Sequence, residues 1–483
     1  MAAHARLDDP PSGSRLRLVD AVSGPATAPH LLITVALSVS CCLHGFAASS
    51  IATAVPVIGR ALHAGVGGGE ALVTAFFLGA AFGVIAAGRI ADVFGARRVL
   101  VAGLVVVLLV TLASGLASTL PELVAARLTV GVATASLYPA AIRMLAHTNT
   151  RRGLAVTMGL PSIVAASELM FGIGPAAGGA LVTAFGWRVA CMVLAIPAAA
   201  AIVLVYKAFP AEIDCVGAPG AVRRRVWSEV DPAGLALAIA VAATAAAVLV
   251  VPIRLSSPTM VLPTALLALI AALVVHSQHR MRPAIDLTVL SSRPILLGLG
   301  RTATVYVAVY AVVYGLPLWL ADRGWTAEQS GAALLPVAAL SVGAVAMFRG
   351  AVRDRGPVPP LLAGAGSLVL VGTGMLAMPT FPVSGTAAAV LGVLALLGVT
   401  CGAANLATQH GSVAASPLSR AGGVASWSRL IQFVAGQGTT VVVVQALPGT
   451  DVGLRALAVG VVALGLLLAV TTAISPTSQG DPS

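Results

Sequence analysis

Charge is scarce in this chain. Of its 483 residues only 9% are charged, against roughly 25% in a soluble globular domain, while 58% are hydrophobic. That imbalance excludes a water-soluble fold. Aromatic residues are also few, at 4%, and Ala, Gly, Val and Leu take their place, as suits membrane helices whose backbones approach closely at small residues. Short alternating strands, the mark of a membrane β-barrel, are absent. Of the 5 cysteines, Cys41, Cys42, Cys191 and Cys401 fall in apolar runs and Cys215 in a polar link. With no CxxC pair or His/Cys cluster, free thiols are expected, and neither a disulfide framework nor a metal site. No Walker A sequence, G-x-S-x-G or paired metal ligands occur, so neither direct ATP coupling, a cofactor nor membrane enzymology is implied. The first 29 residues hold Pro, Gly and mixed charges but no apolar stretch, which reads as a polar cytoplasmic tail and not as a signal peptide.

What remains is a succession of apolar runs, many about 20 residues long, the length that crosses a hydrocarbon core of about 30 Å. They number about fourteen, the first near 31–55, the fifth near 153–182 and the sixth near 188–208. The basic residues test the count, because cytoplasmic links carry the Lys and Arg. On one side fall Arg15, Arg17, Arg89, Arg97, Arg98, Arg143, Arg151, Arg152, Lys207, Arg223 to Arg225, Arg280, Arg282, Arg293, Arg349, Arg353, Arg355 and Arg420; the other has only Arg60, Arg188, Arg254, Arg323 and Arg455. Both termini are therefore expected in the cytoplasm. The formal charge of +11 belongs to this topology and not to a nucleic-acid surface. The longest polar links, Pro210 to Asp231 and His276 to Arg293, bracket spans seven and eight. The expected organisation is a tail (1–29), a six-helix bundle (30–208), links with two inserted helices (209–293), a second six-helix bundle (294–474) and a tail (475–483).

Three motifs carry chemistry. Gly88, Asp92, Gly95, Arg97 and Arg98 form a tight basic link after span two, echoed after span ten by Arg349-Gly350-Ala351-Val352-Arg353-Asp354-Arg355-Gly356. Glycines permit the turn, and an Asp there can cap a helix or pair with an Arg. In span five, Gly174-Pro175-Ala176-Ala177-Gly178-Gly179 combines a small-residue face with a kink. In span four, Arg127 precedes Gly131 and Ala135 at four-residue steps, and an Arg so placed should face the bundle interior or water.

These motifs resemble those of the major facilitator superfamily. The link is similar to its G-x-L-A-D-x-x-G-R-[KR]-[KR] loop, span five to the G-P-x-x-G-G core of its drug:proton antiporters, and span four to its R-x-x-x-G-x-x-x-A element, although Val130 stands where Gln is usual. Later landmarks, among them Asp231-Pro232, Arg282-Pro283 and Gly324-Trp325, resemble the fourteen-span drug:proton antiporter subfamily. The resemblance implies an all-α polytopic fold of two six-helix bundles plus two inserted helices in a cytoplasmic membrane. It implies proton-coupled efflux of a small molecule, drug, antibiotic or metabolite, by alternating access. An importer or dedicated metabolite exporter of the same fold is the alternative, and a non-transporting membrane enzyme or sensor a more distant one. The implied partners are a small-molecule substrate, protons and the lipid bilayer, with no nucleic acid.

For proton coupling the candidates are Arg127, Glu168 and His44. Glu168 is the one acidic residue deep in a span and shares a helical stripe with Gly172, Pro175 and Gly179. His44 lies three residues before Ala47, where relatives often have Asp, and is expected to be a packed neutral imidazole or a titrating substitute. Arg301 and Arg429, each about two turns from a span end, are expected to snorkel to the surface.

Overall fold

The structure is a computed structural model that describes residues 29–51, 54–63, 68–155, 157–209, 231–250, 261–280, 292–381, 383–415, 421–446 and 450–474. The tails and the longest links lie outside the described residues. In lipid every backbone polar group needs an internal partner, and runs this apolar and uncharged satisfy that as helices. In chain order they are α1 (His30–Ser49), α2 (Val55–Ala61), α3 (Gly68–Phe94), α4 (Ala96–Ser114), α5 (Leu120–Arg151), α6 (Leu160–Met192), α7 (Ala195–Ala208), α8 (Pro232–Val250), α9 (Val261–His279), α10 (Arg293–Asp322), α11 (Ala327–Ala333), α12 (Leu335–Arg355), α13 (Val358–Ala377), α14 (Val383–Ala414), α15 (Ala421–Ala446) and α16 (Asp451–Ala473). Setting aside the seven-residue α2 and α11 leaves fourteen long helices among the described residues, one for each expected span. Nine described segments are both long and apolar enough to cross a bilayer unaided.

One boundary differs from the sequence expectation. The first span ends at Ser49, and the expected end near residue 55 falls instead at the start of the short α2. As expected between spans five and six, the helical run of α6 is broken by a corner at Gly186 (φ 80°, ψ 165°). Only glycine adopts that backbone readily, and the piece of α6 beyond the corner leads on into α7.

Contacts between helices occur twice over. In the first half α3 packs on α5, α4 on α5 and α7, and α1 on α5, α6 and α7. In the second, α12 packs on α14, α13 on α14 and α16, and α10 on α14, α15 and α16. Replacing each of α1 and α3–α7 by its counterpart in α10 and α12–α16 turns one set into the other. The seam obeys the same rule: α6 meets α12 as α15 meets α3, and α5 meets α15 as α14 meets α6. Such parallel repeats related by an axis along the membrane normal are a transporter architecture. The inserted α8 and α9 pair with each other and lean through α8 on α3 and α15. Asp231 anchors the pair by accepting from the Gly234 N–H (3.1 Å) and meeting His276 Nε2 (2.8 Å).

The repeat extends to turns. Gly95, between α3 and α4, has φ 91°, and Gly356, between α12 and α13, has φ 74°; both are positive-φ positions closed to a side chain without strain. It extends to packing as well. A Cβ on Gly83 of α3 would strike the Val132 carbonyl of α5, and one on Gly402 of α14 the Ser341 carbonyl of α12. Gly83→Val and Gly402→Val should each cost about 1–3 kcal/mol by overpacking. Thermal unfolding of the detergent-purified protein should therefore show both melting below the parent; an unchanged midpoint in either would contradict the close approach at that seam.

Candidate functional site

The deepest polar groups meet where the two repeats face each other. Glu168, on α6, is 8% exposed, and its Oε1 accepts two hydrogen bonds from the other half: Tyr306 Oη of α10 at 3.1 Å and Asn405 Nδ2 of α14 at 2.6 Å. Gln409, one turn beyond Asn405, accepts from Tyr138 Oη of α5 at 3.2 Å and donates to Ser428 Oγ of α15 at 2.9 Å. Arg429, on α15, lies with its guanidinium 3.7 Å from the centre of the Tyr138 ring and donates to Gln432 Oε1 at 2.8 Å. Its charge acts on Glu168. Hydrogen bonds thus join α5 and α6 of one half to α10 and α14 of the other.

The expected snorkelling of Arg429 is therefore corrected. Its side chain is 7% exposed because a buried aromatic face and an amide hold the guanidinium more firmly than the membrane surface, about two turns away, would. Arg301 is half-buried and donates to the carbonyl of Thr471 in the last turn of α16. Arg127 also turns inward, 7% exposed, donating to the Ala47 carbonyl of α1 at 2.8 Å and lying 4.6 Å over the Phe76 ring. It sits within the first half, on a separate small cavity shared with Phe46, Thr111 and Cys191.

His44 of α1 packs between the rings of Phe76 (5.3 Å) and Phe433 (4.7 Å) and bonds Thr134 at 3.0 Å. Gly174 and Gly178 form the α1 face of α6, where a Cβ would meet Ser49 or the Ser50 backbone. Gly172 faces Ala338 of α12, Pro175 lines a cavity described below, and Gly179 is half-buried. The stripe expected to run from Glu168 through Gly172 and Pro175 thus faces the other half, while Gly174 and Gly178 serve their own.

Gly88 and Asp92 lie in the last two turns of α3, and the Asp92 side chain is outside the described residues. Gly95 makes the turn; Arg97 follows it, 5.0 Å over the Tyr206 ring of α7, and Arg98 is exposed beside it.

Two cavities flank Phe171. The central one, about 30 Å³, is lined by His44, Glu168, Tyr306, Arg429 and Gln432 and has room for about a water or two. The other, about 330 Å³, lies toward the bundle end opposite the Gly95 turn, between α1 and α6 on one side and α10 to α12 on the other. Its walls include Pro175, Val313, Tyr314, Pro317, Leu318 and Trp325. Phe171 borders both, and Tyr310 meets it edge-on at 5.9 Å. At the Gly95 end the halves touch through Thr157 Oγ1 and His410 Nε2, 3.0 Å apart. Asn149 fixes the Thr157 loop by donating to the carbonyls of Ala155 and Met158.

Tyr138, Tyr306, Tyr310, Asn405, Gln409 and Gln432 were not singled out from the sequence, but a signal was present. Four of the chain's five tyrosines lie at this centre, and Tyr306, Tyr310 and Tyr314 recur at four-residue steps, one helical face. Asn405 and Gln409 are amides inside an otherwise apolar run, a position costly in lipid unless it serves a site.

Residues 37–440 match the Major Facilitator Superfamily. The chain is 26% identical over 356 residues to the uncharacterized MFS-type transporter YwoD of Bacillus subtilis (strain 168), covering 73% of this chain and 75% of that one. Over shorter stretches it is 37% identical across 103 residues to the methylenomycin A resistance protein of Streptomyces coelicolor, 21% of each chain. It is 32% identical across 158 residues to the cephamycin export protein CmcT of Amycolatopsis lactamdurans, 32% of each. Among solved structures, the proton:xylose symporter XylE bound to 6-bromo-6-deoxy-D-glucose superposes with a TM-score of 0.60 at 16% identity, covering 91% of this chain and 94% of that one, a likeness of fold. With its duplicated six-helix packing and a polar centre on the seam, the chain belongs to the Major Facilitator Superfamily and is a multi-pass membrane transporter of a small molecule.

Proposed function

We propose that this transporter is a proton-coupled exporter of the fourteen-span drug:proton antiporter type, set in a cytoplasmic membrane with both termini inside. In this reading residues 30–208 and 294–474 move against each other, and 209–293 carries the inserted pair. The observation that carries it is the clasp on Glu168: one carboxyl group of the first half accepts hydrogen bonds from Tyr306 and Asn405 of the second. Hydrogen bonds to a charged group contribute roughly 1.5–3 kcal/mol. Protonation removes the charge and weakens both, which is enough to shift a two-state equilibrium about tenfold or more. A proton entering on one side thus loosens the clasp, and its release on the other restores it. The Gly174-Pro175 segment beside the cavity and the two relatives named for antibiotic resistance and export support the outward direction. The relative named for cephamycin export also favours a second reading, a dedicated exporter of one metabolite.

Glu168→Gln keeps the shape of the side chain and removes its titration. In inverted vesicles with an imposed pH gradient and a substrate panel, this variant should lose proton-driven efflux while retaining substrate exchange; undiminished proton-driven efflux would end the coupling role. Asp92 lies in the last turn of α3, at the end of that helix next to the Gly95 turn. Asp92→Asn should therefore slow every substrate in the same panel alike, whereas selective loss of one substrate would contradict a role in the conformational cycle.

A further inference from the structure

The centre holds donors that nothing among the described residues satisfies. Among the described residues Arg429 Nε and Gln432 Nε2 have no hydrogen-bond partner, although their side chains are only 7% and 1% exposed. Both residues line the central cavity with Glu168. A buried donor without an acceptor is expensive, so its presence in a cavity wall calls for an acceptor that comes and goes. The Arg429 Nη1 bond to Gln432 Oε1 spends that amide's oxygen and leaves its nitrogen as a donor beside the guanidinium. Neighbouring donors of this kind match the two oxygens of a carboxylate.

Charge narrows the ligand further. Among the described residues, the titratable and charged groups around Glu168 are Cys41 and His44 on α1, Tyr138 on α5, Tyr306 and Tyr310 on α10, Cys401 on α14 and Arg429 on α15. Arg429 is the one fixed charge among them. A ligand bearing only a carboxylate on Arg429 would repel ionised Glu168 and favour its protonated form, so that proton and ligand would bind together. A ligand bearing only an amine would meet an uncompensated Arg429. A ligand bearing both leaves each charge matched, and its ammonium competes with the proton at Glu168, as exchange requires. Glu168 Oε1 takes both protein hydrogen bonds, and a carboxylate has capacity for about four. The vestibule next to Phe171 supplies the rest of the site: about 330 Å³ lined by Tyr314, Pro317, Leu318 and Trp325, with Tyr310 and Tyr314 stacked at 5.8 Å and 7°. That volume suits a small ligand, and such walls suit an apolar ring.

We propose that the central cavity and its vestibule take a zwitterionic amphiphile: a carboxylate docks on Arg429 and Gln432, an ammonium faces Glu168, and an apolar ring-bearing body lies along Tyr310 and Tyr314. The ammonium half rests on the proton-exchange reading; the carboxylate half rests on the unpartnered donors.

The test uses the full-length protein in detergent and three ligands with one ring and one two-carbon arm: L-phenylalanine, phenethylamine and 3-phenylpropanoate. Calorimetry reads affinity, and an indicator dye in weak buffer reads protons. L-Phenylalanine should bind at least about tenfold more tightly than either single-charge ligand, the weight of one charged hydrogen bond, and should release a proton. Gln432→Ala should weaken L-phenylalanine and 3-phenylpropanoate and spare phenethylamine, a pattern that general misfolding would not produce. Glu168→Gln should abolish proton release and leave 3-phenylpropanoate binding in place. Equal affinity for L-phenylalanine and either single-charge ligand, or no binding of any of the three at millimolar concentration, would overturn the proposal. Undiminished proton-driven efflux by Glu168→Gln in vesicles, with the zwitterion preference of the parent intact, would overturn the exchange reading and leave this site standing.

Discussion

A carboxyl group in the middle of a lipid-spanning bundle must find its partners in protein, since lipid offers none. Glu168 finds them across the seam, on α10 and α14, and much else in the architecture follows from that. The first half alone would leave the carboxylate facing a cavity, and the second half alone would strand Tyr306 and Asn405. The two repeats are thus held by a polar contact at the depth where a substrate must pass. The remaining seam is made largely of small and apolar side chains, such as Gly172 against Ala338, whose packing allows two arrangements more readily than a hydrogen-bonded lattice would.

Around this centre access is unequal. Toward the Gly95 end, Tyr138 meets Gln409 and Thr157 meets His410, so two layers of cross-half hydrogen bonds lie below Glu168. Toward the other end there is a vestibule of about 330 Å³, parted from the centre by Phe171 and its edge contact with Tyr310. Aromatic residues are scarce in this chain, and their concentration here gives the site an aromatic wall. Arg429 adds a cation that is stacked on Tyr138 and otherwise little paired.

The sequence made the fold legible because lipid imposes a simple rule: length and hydropathy define spans, and the side bearing Arg defines direction. The echo between the Gly95 and Gly356 turns was visible in the residues, and both carry positive φ. Glu168 stood out as the acidic residue in an apolar run. Its partners did not, because they come from helices more than a hundred residues away and hydrogen-bonding capacity alone does not name a neighbour. Arg429 was misjudged for a physical reason: distance to a helix end suggested snorkelling, but the choice was made by the Tyr138 ring, which lies on a different helix. The corner at Gly186 falls in the link expected between spans five and six, where Gly186-Trp187-Arg188 interrupts the apolar run.

Alternating access about the Glu168 clasp requires the Gly95 end to open during each cycle. Thr157 and His410 touch there across the seam, so Thr157→Cys with His410→Cys, in a background without the five native cysteines, should form a cross-link on mild oxidation. Transport in reconstituted vesicles should stop when the cross-link forms and return on reduction. Full transport with the cross-link in place would contradict the account.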